Sequence, residues 1–258
     1  MVTFRMGKMV LVVPFVLFVA GCGDFPELRM ISIPRLEGFR SGSRNYPPTE
    51  NVTIEAFKIS PCETTQGTFE TVMGLNPSVG HHDRNLPVQN VTWLDSVRFC
   101  NALSKLKNYE PCYREVNRED FLCDSEKNGF RLPTSCEWEY ACRGNEDKPY
   151  FWGENRNQDY CVPPLSPSDL AKIDNKLSHS YAKPVMSRRS NEFGLYDMAG
   201  NVAEWCQNSV RDITDVRVIR GGSWENGDWE AFQSKWRSSM QKSEAVPTVG
   251  FRIVRRER

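Results

Sequence analysis

Two carboxylates enclose a short glycine-containing loop in the segment from Asp197 to Glu204. The segment reads Asp-Met-Ala-Gly-Asn-Val-Ala-Glu, so Gly200 lets the chain turn and backbone carbonyls can point inward. Oxygen ligands of this kind suit Ca²⁺. The alternative is a tight turn in which Asp197 and Glu204 accept hydrogen bonds from backbone N–H groups. The spacing therefore marks a candidate cation site and leaves both interpretations open.

Nine cysteines form the other group with reactive chemistry. Cys22 is set apart by its position near the N-terminus, and eight remain in the body of the chain, from Cys62 to Cys206. An even number of cysteines in an exported chain predicts some disulfides, although the spacing selects no pairing. Zinc is not expected, because there is no Cys-x-x-Cys and the histidines lie apart from the cysteines in sequence.

The N-terminus has the features of a lipoprotein signal peptide. Arg5 and Lys8 precede an apolar run that is shorter than the roughly 20 residues a membrane span needs. The run ends in Val-Ala-Gly followed by Cys22, the pattern that lipoprotein processing enzymes cut and acylate. We therefore predict a signal peptide over 1–21 and a lipid on Cys22 that attaches the chain to the membrane, in the bacterial cell envelope, periplasmic or surface-exposed. A plain secretory signal is the alternative.

The elements that must position these residues are short. Segment 22–51, rich in Pro, Arg, Ser and Gly, is predicted to be a tether, and 52–258 a single domain. Threonine caps predict three helices, which begin after Thr65, Thr92 and Thr134. Strands are predicted over 53–59, 216–220 and 251–254, where apolar and polar residues alternate. The balance of 33 basic and 33 acidic residues gives no reason to expect nucleic acid.

Six segments together resemble the formylglycine-generating enzyme, or sulfatase-modifying factor, family, whose fold is a variant of the C-type lectin fold. They are Arg131-Leu-Pro-Thr with Glu137-Trp-Glu-Tyr-Ala141, Phe151-Trp-Gly153, Asn191-Glu-Phe-Gly-Leu-Tyr-Asp197, Gly200-Asn-Val-Ala-Glu-Trp205, Arg220-Gly-Gly-Ser-Trp224 and Gly250-Phe-Arg252. Each segment alone is weak, and their order and intervals carry the resemblance. It implies an α+β domain with few helices, short strands and long loops.

The resemblance also implies a metal site. In the family, the positions matching Asp197, Gly200, Val202 and Glu204 bind a structural calcium through two side chains and two backbone oxygens. A second calcium site of the family would fall near Asp174, where the pattern is too loose to align.

The family's oxidation chemistry has no counterpart here. Its oxidases bind Cu(I) through a Cys-x-x-x-x-Cys pair located before the Gly-Phe-Arg strand. Gln233 and Ser238 stand at those places, beside Trp236 and Arg237, and no cysteine follows Cys206. An amide and a hydroxyl cannot replace two thiolates on this soft ion. Copper is therefore not expected, and no residue is assigned as catalytic.

The stretch from Trp224 to Thr248 mixes aromatic and charged residues, as partner-binding surfaces often do. The candidate ligand-binding residues are Trp224, Asn226, Trp229, Lys235, Trp236 and Arg237. The stretch also resembles the ligand-binding region of C-type-lectin-like variable proteins. The alternative is that Trp229, Phe232 and Trp236 are simply core.

These observations predict a membrane-anchored, non-catalytic binding or assembly protein that takes a protein or glycan partner. A formylglycine-generating oxidase acting on the cysteine of sulfatase-type substrates is the enzymatic alternative. A structural component of an envelope complex is a further alternative.

Overall fold

Short strands and three helices form the part of the chain that the structure describes. The computed structural model of the protein describes residues 28–42, 51–163, 166, 168, 180–210 and 213–257. The predicted signal peptide, Cys22 and Asp174 lie outside these residues. The helices are α1 (Gln66–Met73), α2 (Trp93–Leu106) and α3 (Ser135–Arg143). No helix in the described ranges has the length and apolar character needed to cross a membrane.

Twelve strands are found in the described residues, most of them three to five residues long. They are β1 (Ile31–Ile33), β2 (Leu36–Phe39), β3 (Val52–Ile54), β4 (Phe57–Ile59), β5 (Tyr113–Asn117), β6 (Asp120–Cys123), β7 (Phe130–Arg131), β8 (Ala203–Val210), β9 (Ile213–Arg220), β10 (Ser238–Gln241), β11 (Val249–Gly250) and β12 (Val254–Arg256). The predicted α+β class is confirmed.

The strands form two four-stranded sheets and two hairpin-like pairs. The first sheet has the order β1-β4-β12-β7 and is antiparallel, and the second has the order β10-β9-β8-β11. In the second sheet only the β11–β8 pair is parallel. The smaller pairs are β2-β3 and β5-β6. β12 therefore brings the C-terminal segment into the centre of the first sheet.

The domain starts earlier than the predicted boundary at Val52. β1 pairs with β4, with Ile31 opposite Ile59, and β2 pairs with β3. β1 and β2 lie within the predicted tether 22–51. Ile33 on β1 is fully buried and Phe39 on β2 nearly so. Both side chains pack into the same cluster of buried residues as Trp138. The tether prediction is therefore wrong for β1 and β2.

The three helices begin where the caps predicted them. The Thr65 side chain accepts a hydrogen bond from the Thr68 backbone N–H at 3.1 Å. Thr92 and Thr134 each form a complete capping box, with Asp95 and Glu137 respectively. These contacts satisfy N–H groups that a helix leaves without partners in its first turn.

Two packed clusters of buried side chains form the core. One cluster includes Trp138, Phe151 and Phe232, and the other includes Trp93, Trp205 and the fully buried ring of Phe251. The large aromatic area offsets the shortness of the strands. α3 lies over β8 and β9 and so brings Trp138 against the carboxylate of β8 described below.

Candidate functional site

Glu204, at the start of β8, is buried and ion-paired with Arg252. The Arg252 Nε donates to Glu204 Oε2 at 2.6 Å, and Nη2 donates to Oε1 at 2.7 Å. The Trp138 indole N–H donates to Oε2 at 2.7 Å. Burial acts to lower the pKa of Arg252, but the Glu204 carboxylate more than offsets this and raises it. Both oxygens of Glu204 are therefore engaged inside the protein.

Asp197 lies beside Glu63, a residue that sequence reasoning did not single out. The Met186 N–H donates to Asp197 Oδ2 at 2.7 Å, and the Asn201 amide donates to Glu63 Oε1 at 3.1 Å. Asp197 Oδ1 and Glu63 Oε2 are buried and have no hydrogen-bond partner among the described residues. Burial, above all, raises the pKa of both groups, and the Asp197 charge raises that of Glu63 further. One proton shared between the two carboxyl groups would satisfy both oxygens.

The loop between these carboxylates is held by close backbone contacts. Gly200 has a φ of 79°, and a Cβ at this position would lie 2.1 Å from the Val162 carbonyl oxygen. Its N–H donates to the Gly221 carbonyl at 2.8 Å. Asp197 and Asn201 also adopt positive φ angles of 57° and 60°. Only glycine fits at position 200, because any side chain there would displace the backbone.

The predicted calcium ligands are brought together only in part. Asp197 offers one unpartnered oxygen, but Arg252 holds both oxygens of Glu204, and Val202 is fully buried. Within the described ranges, no group of three or more His, Cys, Asp or Glu side chains is arranged to hold a metal ion. Calcium would need Glu204 to leave Arg252. Asp197 matches the turn interpretation, since it accepts a backbone N–H, whereas Glu204 accepts only from the side chains of Arg252 and Trp138. While Glu204 is paired with Arg252, these side chains do not fit the calcium ion that the resemblance implies.

Gln233 and Ser238 lie on either side of a turn that leads into the second sheet. Gln233 follows a short 3-10 helix, Glu230–Phe232, and its carbonyl accepts a hydrogen bond from the Trp236 N–H at 2.9 Å. Ser238 is exposed and begins β10, opposite Ile219. A cavity of about 810 Å³ is lined by Lys235 but by neither Gln233 nor Ser238.

Cys142 lies next to the turn between Gln233 and Ser238, and its thiol is buried. Cys142 lies beside Ser234, and its Sγ donates to the Met198 carbonyl at 3.6 Å. Burial raises the pKa of Cys142 to about 12. A thiol in this state is neutral at physiological pH, whereas a metal ligand must be a thiolate. Cys142 therefore does not replace the cysteine pair of the family's oxidases.

The expected disulfides are not found, which corrects the sequence prediction. No disulfide joins any two of the eight cysteines in the described part of the chain. Cys142, Cys161 and Cys206 belong to one core cluster, whereas Cys100 and Cys112 belong to the other. Burial raises the pKa of Cys161 to about 12. These cysteines act as small apolar core residues, a common role for buried thiols.

The structure divides the candidate ligand-binding residues into buried and accessible ones. Trp224 is only 1% exposed, which corrects its assignment to a surface, and Tyr181 covers it at a ring distance of 5.2 Å. Asn226 accepts a hydrogen bond from the Ser223 N–H at 2.7 Å and so closes a turn. Trp229 and Trp236 are half-buried against the first core cluster. Phe232 is core, as the alternative interpretation held.

The accessible part of this face includes residues that sequence reasoning did not assign to it. Lys235 forms an ion pair with Asp147 at 2.8 Å. Trp152 stacks on Tyr150 at 4.8 Å, and the Tyr150 ring meets Trp229 edge-on at 6.3 Å. We define the partner face as Trp152, Trp229, Lys235, Trp236 and Arg237. The Phe-Trp-Gly motif at Trp152 was visible in the sequence, but the Tyr150 ring that connects Trp152 to Trp229 is placed there only by the fold.

A buried arginine fixes the partner face to α3. Arg220 is fully buried and donates to the Trp236 carbonyl at 2.8 Å and to Glu139 Oε2 at 2.8 Å. Glu139 also forms an ion pair with Arg143 and accepts a hydrogen bond from the Gly42 N–H at 2.9 Å. The backbone at Trp236 is therefore positioned by a network that reaches the N-terminal segment.

Comparison with known proteins identifies the family. The family model described as the sulfatase-modifying factor enzyme 1-like domain matches residues 26–257. The chain belongs to the sulfatase-modifying factor family. A relative from Paenibacillus barcinonensis, named chaperone protein LppX, is 31% identical over 245 residues, which cover 84% of this chain and 86% of the relative. Among solved structures, Treponema denticola variable protein 1 is similar, with a TM-score of 0.72 and 30% identity over 88% of this chain and 95% of that one.

Some relatives of this chain are named as inactive enzymes. The inactive C-alpha-formylglycine-generating enzyme 2 of Mus musculus is 32% identical over 143 residues. The match covers 54% of this chain and 38% of that relative. Membership of the sulfatase-modifying factor family therefore shows the scaffold and leaves open whether a member is an oxidase.

Proposed function

We propose that this chain is a lipid-anchored, non-catalytic binding or assembly protein of the bacterial envelope that engages a protein or glycan through the partner face. The observation that carries the proposal is the chemistry of the turn between Gln233 and Ser238. The sequence has no cysteine after Cys206, and the thiol that contacts this turn, Cys142, is buried with a raised pKa. An oxygen-activating Cu(I) site needs thiolates, so the scaffold has lost the ligands for that reaction.

Two relatives support a binding role. LppX carries the name of a chaperone, and the mouse relative carries the name of an inactive enzyme. The partner face offers half-buried tryptophans, a residue type enriched among those that contribute most to binding at protein interfaces. An indole ring half held by the core loses little conformational entropy when a partner covers it.

Membrane attachment is the other half of the proposal. Cys22 would carry the acyl chains, and each buried methylene contributes about 0.8 kcal/mol to membrane binding. Membrane fractionation tests this half: the chain should sediment with membranes, and a C22A variant should not. Mass spectrometry of the N-terminal peptide should detect acyl groups on Cys22. An unmodified Cys22 in a membrane-associated chain would contradict the proposed anchor.

Affinity capture from envelope extracts tests the partner face. W229A/K235A should lose the bound partner, because it removes one half-buried ring and one cation from the face. R114A/L122A is the matched control, since it removes one cation and one apolar side chain from an exposed cross-strand pair on the β5-β6 hairpin. The melting temperature shows whether W229A/K235A is folded. If it matches that of the wild type and the variant still captures the partner, the proposed face is contradicted.

A further inference from the structure

A strongly basic cavity lies beside the first described residues of the chain. The cavity has a volume of about 590 Å³ and is lined by four cations, Arg29, Lys58, Lys107 and Arg255, with Tyr109 and Phe130 in its wall. None of its lining residues is a carboxylate. The cavity shares no residue with the partner face. It is therefore a separate site with its own electrostatic character.

The register of the first sheet places two of these cations next to each other. Arg255 on β12 lies opposite Lys58 on β4, and residues directly opposite on neighbouring strands point to the same side of a sheet. The adjacent positions, Ile59 and Val254, are fully buried on the other side. Arg29 lies two residues before β1, the neighbour of β4. The fold thus gathers cations from both ends of the chain.

Acidic side chains of the described residues do not pair with the two arginines of the cavity. Within the described ranges, no carboxylate forms an ion pair with Arg29 or Arg255. Arg255 instead lies over the Tyr109 ring, 4.9 Å from its centroid. Glu257 lies 3.7 Å from the Lys58 Nζ, outside the cavity lining, and accepts a hydrogen bond from the Ser32 hydroxyl at 2.6 Å. The cavity therefore has the charge of an anion-binding site.

The position of the cavity along the chain indicates where the anion comes from. Arg29 lies seven residues after Cys22, and a fully extended chain of that length spans at most about 24 Å. If Cys22 carries the lipid anchor, Arg29 stays within that distance of the membrane surface. Phosphate is an anion that arginine and lysine bind readily, and anionic phospholipids present it at that surface.

We propose that the basic cavity binds the phosphate of anionic phospholipid headgroups in the membrane that holds Cys22, and so fixes the orientation of the domain on that membrane. The proposal rests on the proposed lipid anchor for its geometry. The acyl chains supply the attachment, whereas the cavity selects which face of the domain meets the bilayer. Tyr109 and Phe130 give the cavity an aromatic wall that suits the interfacial region.

Vesicle sedimentation of an unacylated chain tests this site without the anchor. The mature chain from residue 22 onwards, with a C22S substitution, would be mixed with vesicles of phosphatidylcholine alone or with phosphatidylglycerol added. We expect it to bind only the anionic vesicles. Each basic residue near an anionic surface contributes about fivefold to binding, so R29Q/R255Q should reduce vesicle binding about 25-fold. The matched control R114Q/R118Q removes two exposed arginines outside the cavity and should bind like the parent.

The possible results distinguish the cavity from a general affinity of the chain for membranes. Equal binding to both kinds of vesicle, or an equal loss in the control, would overturn the proposal. Binding of inorganic phosphate without a preference for anionic vesicles would overturn it too, and would assign the cavity to a soluble phosphate compound. If R29Q/R255Q does not reach the parent's melting temperature, K58Q is used in its place, with an expected loss of about fivefold. Failure here with an acylated Cys22 in the wild type would leave the proposed function standing.

Discussion

Removing Arg252 should strongly destabilise the domain, because Arg252 neutralises the buried Glu204. An R252M substitution removes two hydrogen bonds to Glu204, at 2.6 and 2.7 Å, and another to the Tyr196 carbonyl at 3.0 Å. Glu204 would then be left as a buried charge without a cation. Breaking a buried pair from one side costs about 3–5 kcal/mol, which is a large part of a typical unfolding free energy of about 5–15 kcal/mol.

The double variant E204Q/R252M should be more stable than R252M alone, because it removes the unpaired buried charge. The glutamine introduced in place of Glu204 would be neutral and would keep an oxygen for the Trp138 indole N–H. The second substitution should therefore restore about 0.5–3 kcal/mol of what R252M loses, the range seen for residues coupled by contact. Removing Arg252 also takes away a charge that lowers the pKa values of Glu63 and Asp197. The R252M defect should therefore be larger at pH 8 than at pH 5, where these carboxyl groups are more readily protonated.

Urea unfolding followed by tryptophan fluorescence measures these differences. The midpoint should fall for R252M and partly recover for E204Q/R252M, with similar slopes for all variants. R252K is the control for charge, since lysine keeps the cation but loses the two-pronged contact. A loss below about 1 kcal/mol for R252M, or a double variant less stable than R252M, would refute the ion-pair reasoning.

Three further predictions follow from the buried groups. The raised folded pKa values of Glu63 and Asp197, compared with ordinary values of 4.5 and 3.8, mean that their contribution to stability is present in acid and is lost as pH rises through the folded pKa. E63Q should therefore raise the unfolding midpoint at pH 8 but not at pH 4, and an equal effect at both pH values would exclude this linkage. Calcium and EDTA should leave the melting temperature unchanged, because Arg252 occupies Glu204. A calcium-dependent rise that D197A abolishes would instead establish the family's ion. Alkylation without reductant in denaturant should modify all eight cysteines from Cys62 to Cys206, whereas Cys142 should stay unmodified in the folded chain. Masses that show fewer alkyl groups on the denatured chain would reveal disulfides.

The helices could be predicted from the sequence because their signals are local. Thr65, Thr92 and Thr134 each cap a helix with groups no more than three residues away. Strand limits were less accurate, because pairing depends on distant segments. The predicted strand over 53–59 divides into β3 and β4, which pair in different sheets. β1 was missed because its partner, β4, lies well beyond it along the chain, with Ile31 paired to Ile59.

The candidate site was predicted in part for the same reason. The segment from Asp197 to Glu204 was recognised from its own composition, but its partners were not. Arg252 lies 48 residues after Glu204, and Asn201 lies 138 residues after Glu63. Trp224 was misassigned to a surface because a tryptophan in a polar stretch resembles a binding residue until Tyr181 is seen to cover it. The periodicity of a segment carries no information about contacts with residues that lie this far away along the sequence.

Catalysis is the property that separates the two interpretations of the scaffold most directly. The purified chain would be loaded with Cu(I), incubated in air with a Cys-x-Pro-x-Arg peptide, and analysed by mass spectrometry, with an active formylglycine-generating oxidase as positive control. We predict that the peptide keeps its sulfur, because the turn from Gln233 to Ser238 presents no thiolate to the metal. Conversion of the peptide thiol to an aldehyde, with stoichiometric copper retained by the protein, would contradict a non-catalytic role.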